Sequence, residues 1–185
     1  HLRLGMTLLQ AGKFDQSEPS FERAVELNPS SYQAYYYLGN VWLSRRNLDR
    51  AMGFYEESLK YVLNFPEALY ALGTVHFRKS NIQLALGYFE QVLQRNPRHA
   101  DAYFSRASIY VRGKRYPKAI DDYNRALEFY DKQLVRLRES VISLEGRGLN
   151  KKADLERRRK ARVERSIERT LTLKMEAEDL QLRGP

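Results

Sequence analysis

Apolar side chains recur along this chain at three- and four-residue steps, in short blocks separated by breaks that carry proline, glycine, asparagine or serine. That spacing is the signature of amphipathic helices, not strands. Tyr35, Leu38, Gly39 and Trp42 form one stripe, and Leu48, Ala51, Tyr55, Ser58 and Leu59 the next. Leu69, Leu72, Gly73 and His76 follow, then Ile82, Ala85, Phe89, Val92 and Leu93, then Tyr103, Arg106, Ala107 and Tyr110. The first block predicts a helix over His1–Gln10, a turn at Ala11-Gly12-Lys13 and a helix over Phe14–Leu27, with Pro19 expected to distort its early part. Asn28-Pro29 ends that helix, Ser31 is placed to cap the next, and Asn47 to cap the one after. Ser80-Asn81 and Gly113 mark later turns, and Pro117 is expected at the first helical position, where its missing N–H costs nothing.

The stripes keep a beat of 34 residues without insertion or deletion. Leu4-Gly5 returns as Leu38-Gly39, Leu72-Gly73 and Arg106-Ala107, and an aromatic returns at Phe21, Tyr55, Phe89 and Tyr123. A small residue returns at Ser17, Ala51, Ala85 and Ala119. A fixed period of this kind means a stack of supersecondary units, each burying the face of its neighbour. Glycine in mid-helix costs roughly 1 kcal/mol, so Gly39 and Gly73 imply two helices in close approach. Arg106 stands where leucine is expected, so that place is less buried than its equivalents. Leu63 replaces the closing proline found at Pro29 and Pro97, and Asn64-Phe65-Pro66 makes the break slightly later.

After the fourth unit the stripe does not stop. It continues through Tyr130, Leu134, Leu137, Val141 and Leu144, and Gly146-Arg147-Gly148 then breaks it. A last helix is predicted from about residue 150 to 182, with Val163, Ile167, Leu171 and Met175 as its stripe. Two long antiparallel helices therefore form a hairpin, whose outer half has few neighbours.

The 34-residue pattern resembles the tetratricopeptide repeat (TPR) family over roughly the first 130 residues. The resemblance implies an all-α, right-handed solenoid of helix–turn–helix repeats over about 1–31, 32–65, 66–99 and 100–130, followed by the helical hairpin of 131–185. It implies a scaffold or adaptor that binds a partner protein in a concave groove lined by the first helix of each repeat. The matching places are Tyr36, Tyr37 and Asn40; Tyr70, Thr74, Phe77 and Arg78; and Phe104, Ser108 and Arg112. The expected occupant is an extended peptide or an amphipathic helix, with an acidic side chain for Arg78 or Arg112. The Lys, Asn and Arg set by which one TPR subset grips a terminal carboxylate is absent, since Leu2, Met6, Ala71, Asp101 and Ser105 occupy those places. The alternative reading is self-assembly, with copies pairing through the hairpin or the terminal repeats; Leu137, Val141 and Leu144 are its test residues.

Composition narrows the field further. No apolar run is long enough to cross a membrane and no secretory signal is visible, which fits a soluble cytoplasmic or periplasmic chain. The chain opens on His-Leu-Arg inside its first repeat, so residues of a longer protein are expected upstream. Cysteine is absent, which excludes disulfides and thiolate metal sites. The three histidines are scattered and no nucleophile or base is spaced to join them, so no enzyme, metal or cofactor is expected. The net charge of +9 favours acidic partners. The run Arg157-Arg158-Arg159-Lys160 spreads around its helix at about 100° per residue and alternates with Glu156, Glu164 and Glu168. It reads as a solvated helix, and nucleic acid is not an expected partner.

Overall fold

The computed structural model describes residues 1–183. The described residues form helices and turns, with no strand. The contacts divide the chain into two compact units, His1–Asn96 and Pro97–Pro185. The division expected near residue 130 separates repeats from extension, whereas the contact division groups the fourth repeat with the hairpin, because one helix runs through 130 uninterrupted.

The first unit holds three helical pairs: α1 (Leu2–Gln10) with α2 (Phe14–Leu27), α3 (Tyr32–Ser44) with α4 (Leu48–Tyr61), and α5 (Pro66–Arg78) with α6 (Ile82–Arg95). The recurring glycines explain how tightly each pair closes. A Cβ on Gly5 would lie 2.6 Å from the Phe21 ring, and one on Gly73 2.6 Å from the Phe89 ring. Gly39 faces the Tyr55 ring in the same way. The aromatic of the second helix thus lies where a side chain of the first would stand, and Phe21, Tyr55 and Phe89 are fully buried. Neighbouring pairs share their cores, since Ala51 and Tyr55 of α4 cluster with Ala71, Leu72 and Val75 of α5.

Each of these pairs turns through one residue in the left-handed region, at Gly12, Arg46 and Ser80. The turn is a Schellman motif. In the first, Lys13 N–H donates to the Leu8 carbonyl at 2.9 Å and Gly12 N–H to the Leu9 carbonyl at 3.0 Å. Asn47 caps α4 by accepting from Arg50 N–H at 3.1 Å. Ser31 stands at the N-cap of α3 without a side-chain cap bond; its carbonyl accepts from Ala34 N–H instead. α2 is continuous through Pro19.

The second unit holds α7 (Ala100–Arg112), α8 (Tyr116–Gly146) and α9 (Asn150–Arg183). Its turn puts the positive φ on Lys114, with Gly113 one residue earlier in ordinary backbone. His99 caps α7, its ring Nδ1 accepting from Ala102 N–H at 3.1 Å. At 31 residues, α8 is about 46 Å long. α9 runs antiparallel back along it. Arg157 pairs with Glu145 near the hairpin turn, Val163 packs with Leu134 and Tyr130, and Leu173 and Ala177 pack with Ala119 and Tyr123. Leu137 packs against that cluster, and Val141 and Leu144 are half-buried.

The inward face of α9 differs from the expected stripe. Val163 and Ile167 face inward, but Leu171 and Met175 are 45% and 66% exposed. Ala153, Val163, Thr170 and Ala177 are the buried residues, the last three seven apart. A step of four residues advances about 40° past a full turn, so three such steps carry Met175 about 120° away from Val163. A step of seven drifts only about 20° and keeps facing α8, as in a coiled coil.

Arg106 is indeed less buried than Leu38 and Leu72, with its side chain 21% exposed. Its Nε and Nη2 donate to the two Asp122 oxygens at 2.7 and 2.8 Å. Leu38 clusters with Phe54 and Leu72 with Tyr88 at the matching places. The fourth repeat has therefore exchanged an aliphatic–aromatic contact for an ion pair.

Candidate functional site

In the second, third and fourth repeats the first helix leans an aromatic on its own second helix. Tyr36 tilts against Tyr55, Tyr70 against Phe89 and Phe104 against Tyr123, with ring centroids 5.9, 5.7 and 5.9 Å apart. All three are half-buried. This repetition follows from the glycine contact: once the second-helix ring fills the place beside Gly39 or Gly73, the residue one turn earlier meets its edge.

Within the first unit, α3 and α5 bring most of the expected residues together. Tyr36 also meets Tyr37 and Phe65 edge-on, and Tyr37 stacks on Phe21 at 5.2 Å. Burial pushes the Tyr36 phenol up, a hydrogen bond from Asn40 opposes this, and Glu67 of α5 adds to the rise. Glu67 acts on Tyr37 as well, so α3 and α5 face each other at this point. The Asn40 carbonyl oxygen accepts from the Tyr55 hydroxyl at 2.8 Å. Burial raises the Tyr55 phenol strongly, the nearby Tyr36 adds to it, and the Arg78 charge pulls it down. Asn40, Tyr55 and Arg78 thus form a polar cluster fed by three helices. Thr74 Oγ1 donates to the Tyr70 carbonyl at 3.0 Å, Phe77 is half-buried, and Arg78 is exposed at the end of α5.

Phe104, Ser108 and Arg112 belong to the second unit and have a different setting. The Arg169 guanidinium of α9 lies over the Phe104 ring at 5.0 Å, and Leu173 packs beside it. Ser108 Oγ donates to the Phe104 carbonyl at 3.0 Å and hydrogen-bonds the buried Tyr123 phenol. Arg112 is exposed at the end of α7. Within this unit α9 reaches the α7 surface at Phe104 through Arg169 and Leu173. Asp122 escaped the sequence reading, and its signal was Arg106 in a leucine place. Trp42 was read only as a stripe residue; Arg45 and Arg50 lie over its ring at 4.8 and 4.2 Å.

The profile of the tetratricopeptide repeat family matches residues 2–61 and 70–133. The chain belongs to the tetratricopeptide repeat family. TPR structures share its fold at low identity. MamA aligns at TM-score 0.60 and 20% identity, over 88% of this chain and 95% of that one. YrrB, described as a TPR protein with an unusual peptide-binding site, aligns at TM-score 0.60 and 18% identity, over 94% and 90%. PilF from Pseudomonas aeruginosa aligns at TM-score 0.66 and 18% identity, over 88% and 74%. No curated protein sequence matches the chain. The TPR helices carry no membrane span: none among the described residues is long and apolar enough to cross a bilayer.

Proposed function

We propose that this TPR protein is an interaction adaptor that binds an extended peptide or amphipathic helix of a partner protein along α3 and α5. The observation that carries this reading is that α3 and α5 face each other, α3 with Tyr37 and the Asn40 amide held to Tyr55, and α5 with Tyr70, Phe77 and an Arg78 whose charge acts on Tyr55. Aromatics with one face in the core and one at the surface are rigid anchors. The cluster supplies an amide for a peptide backbone and a cation for an acidic side chain. Membership of a family of interaction scaffolds supports the reading, as does a peptide-binding site in a TPR protein of the same fold. The Phe104–Ser108 surface of the second unit is left out of this proposal, because α9 already packs at Phe104.

The test uses substitutions that spare the ring pairs holding the repeats together. Arg78→Glu is exposed at a helix end, so its melting temperature is expected to match that of the native protein. Partner capture from the native lysate is expected to fall at least about tenfold, as for loss of a charge-assisted bond. Undiminished capture by both Arg78→Glu and Phe77→Ala, each still folded, would remove α5 from the binding surface.

A further inference from the structure

A cavity of about 460 Å³ opens beside the second helices of the first unit, within the roughly 300–1,000 Å³ of small-ligand sites. α2 contributes Glu18 and Glu22, one turn apart. α4 contributes Arg50, Gly53, Phe54 and Glu57, a single helical stripe. Trp42 of α3 lines it too. Gly53 keeps the space open, since a Cβ there would meet nothing within 4 Å. The lining carries three carboxylates against one guanidinium.

The same place already holds guanidinium groups of the chain itself. Arg45 pairs with Asp15 and Glu18, both at 2.7 Å, while it lies over Trp42. Arg50 covers the same ring. Glu22 enters no ion pair among the described residues, and Glu57 is held only by Lys60 on its own exposed turn at 2.5 Å, a contact worth little. The half-buried Phe54 lines the same cavity as these two carboxylates.

We propose that this cavity receives an arginine side chain of a partner peptide, its guanidinium bonded by Glu22 and Glu57 and its plane laid on Phe54. Charge complementarity selects a basic segment, and the flat fork of a guanidinium suits two carboxylates and a ring better than an ammonium does. The site stands apart from the α3–α5 groove, whose Arg78 calls for an acidic group, so either can fail without the other.

Trp42 is the single tryptophan of the chain, so its fluorescence reports on the cavity directly. The probes are an acetylated, amidated Gly-Arg-Gly peptide and its lysine and citrulline analogues, titrated into the full chain. The expected result is a saturable change with arginine, about tenfold weaker with lysine and absent with the uncharged citrulline. Glu22→Gln with Glu57→Gln is expected to abolish the change. Gly53→Leu, which fills the cavity without touching a charge, is expected to do the same at an undiminished melting temperature. Tyr70→Ala is expected to leave it intact. The proposal is overturned by no saturable change with the arginine peptide, by an equal response to citrulline, or by a response that survives both cavity variants. Loss in Tyr70→Ala alone would move the arginine to the groove and overturn it equally.

Discussion

Asp122 is buried, and Arg106 meets both of its oxygens. Removing one partner strands a buried charge, whereas replacing both by a packed apolar pair is often neutral. Arg106→Leu alone is therefore expected to cost about 3–5 kcal/mol. Adding Asp122→Tyr recreates the Leu72–Tyr88 contact of the third repeat and is expected to recover most of that loss in urea unfolding. A double variant no more stable than the single one would refute the exchange. Tyr55 gives a second residue-scale prediction. Burial raises its phenol above the unfolded value of about 10. Its contribution is complete below that pH and is lost as pH rises, because the unfolded chain gives up the proton first. The urea midpoint is thus expected to hold steady up to about pH 10 and to fall as pH rises beyond it. Tyr55→Phe should flatten that fall, while costing about 0.5–1.5 kcal/mol at neutral pH for the lost bond to Asn40.

At the scale of the element, the repeat is defined by a helix pair with no room between its members. Gly73→Leu drives a side chain into the Phe89 ring and is expected to cost about 1–3 kcal/mol or more. An unchanged melting curve would contradict that contact. The turn of the fourth repeat allows the opposite result. Gly113 has an ordinary φ of −86° and room for a Cβ, while its neighbour Lys114 takes a φ of 55°. Left-handed backbone costs a non-glycine residue roughly 1–2 kcal/mol, and glycine in helical backbone costs about 0.5–1. Exchanging the two, Gly113→Ala with Lys114→Gly, is expected to raise stability by about 1 kcal/mol, readable as a higher urea midpoint.

For the whole molecule, the long hairpin belongs energetically to the fourth repeat. Phe104, Tyr123 and Ala119 complete their core with Leu173 and Ala177 of α9. A chain ending at Gly148 is expected to lose hydrogen-exchange protection across α7 and α8 while α3 to α6 keep theirs. Unchanged protection in α7 would mean that α9 is not part of that core. In the full chain, amides of the outer hairpin, near Val141 and Leu144, are expected to exchange faster than those at Tyr55 and Phe89, which lie in packed repeats.

The repeat was legible because it is local. Period, turn places, paired glycine and aromatic, and the ends of the helices all follow from spacing within 34 residues, and the helices fall where that spacing puts them. The residues of α3 and α5 were legible for the same reason, as equivalent places on equivalent helices. What the spacing could not decide is where a side chain goes when two apolar stripes compete. Leu171 and Met175 fit the sequence stripe of α9 as well as Thr170 and Ala177 do, and only packing along α8 chose the seven-residue face. Nor does spacing show contacts across long separations. That α9 returns to cover Phe104, that Asp122 answers Arg106, and that Glu22, Phe54 and Glu57 enclose a cavity are facts of tertiary structure. Each depends on which distant surfaces exclude water together, and no local pattern records that.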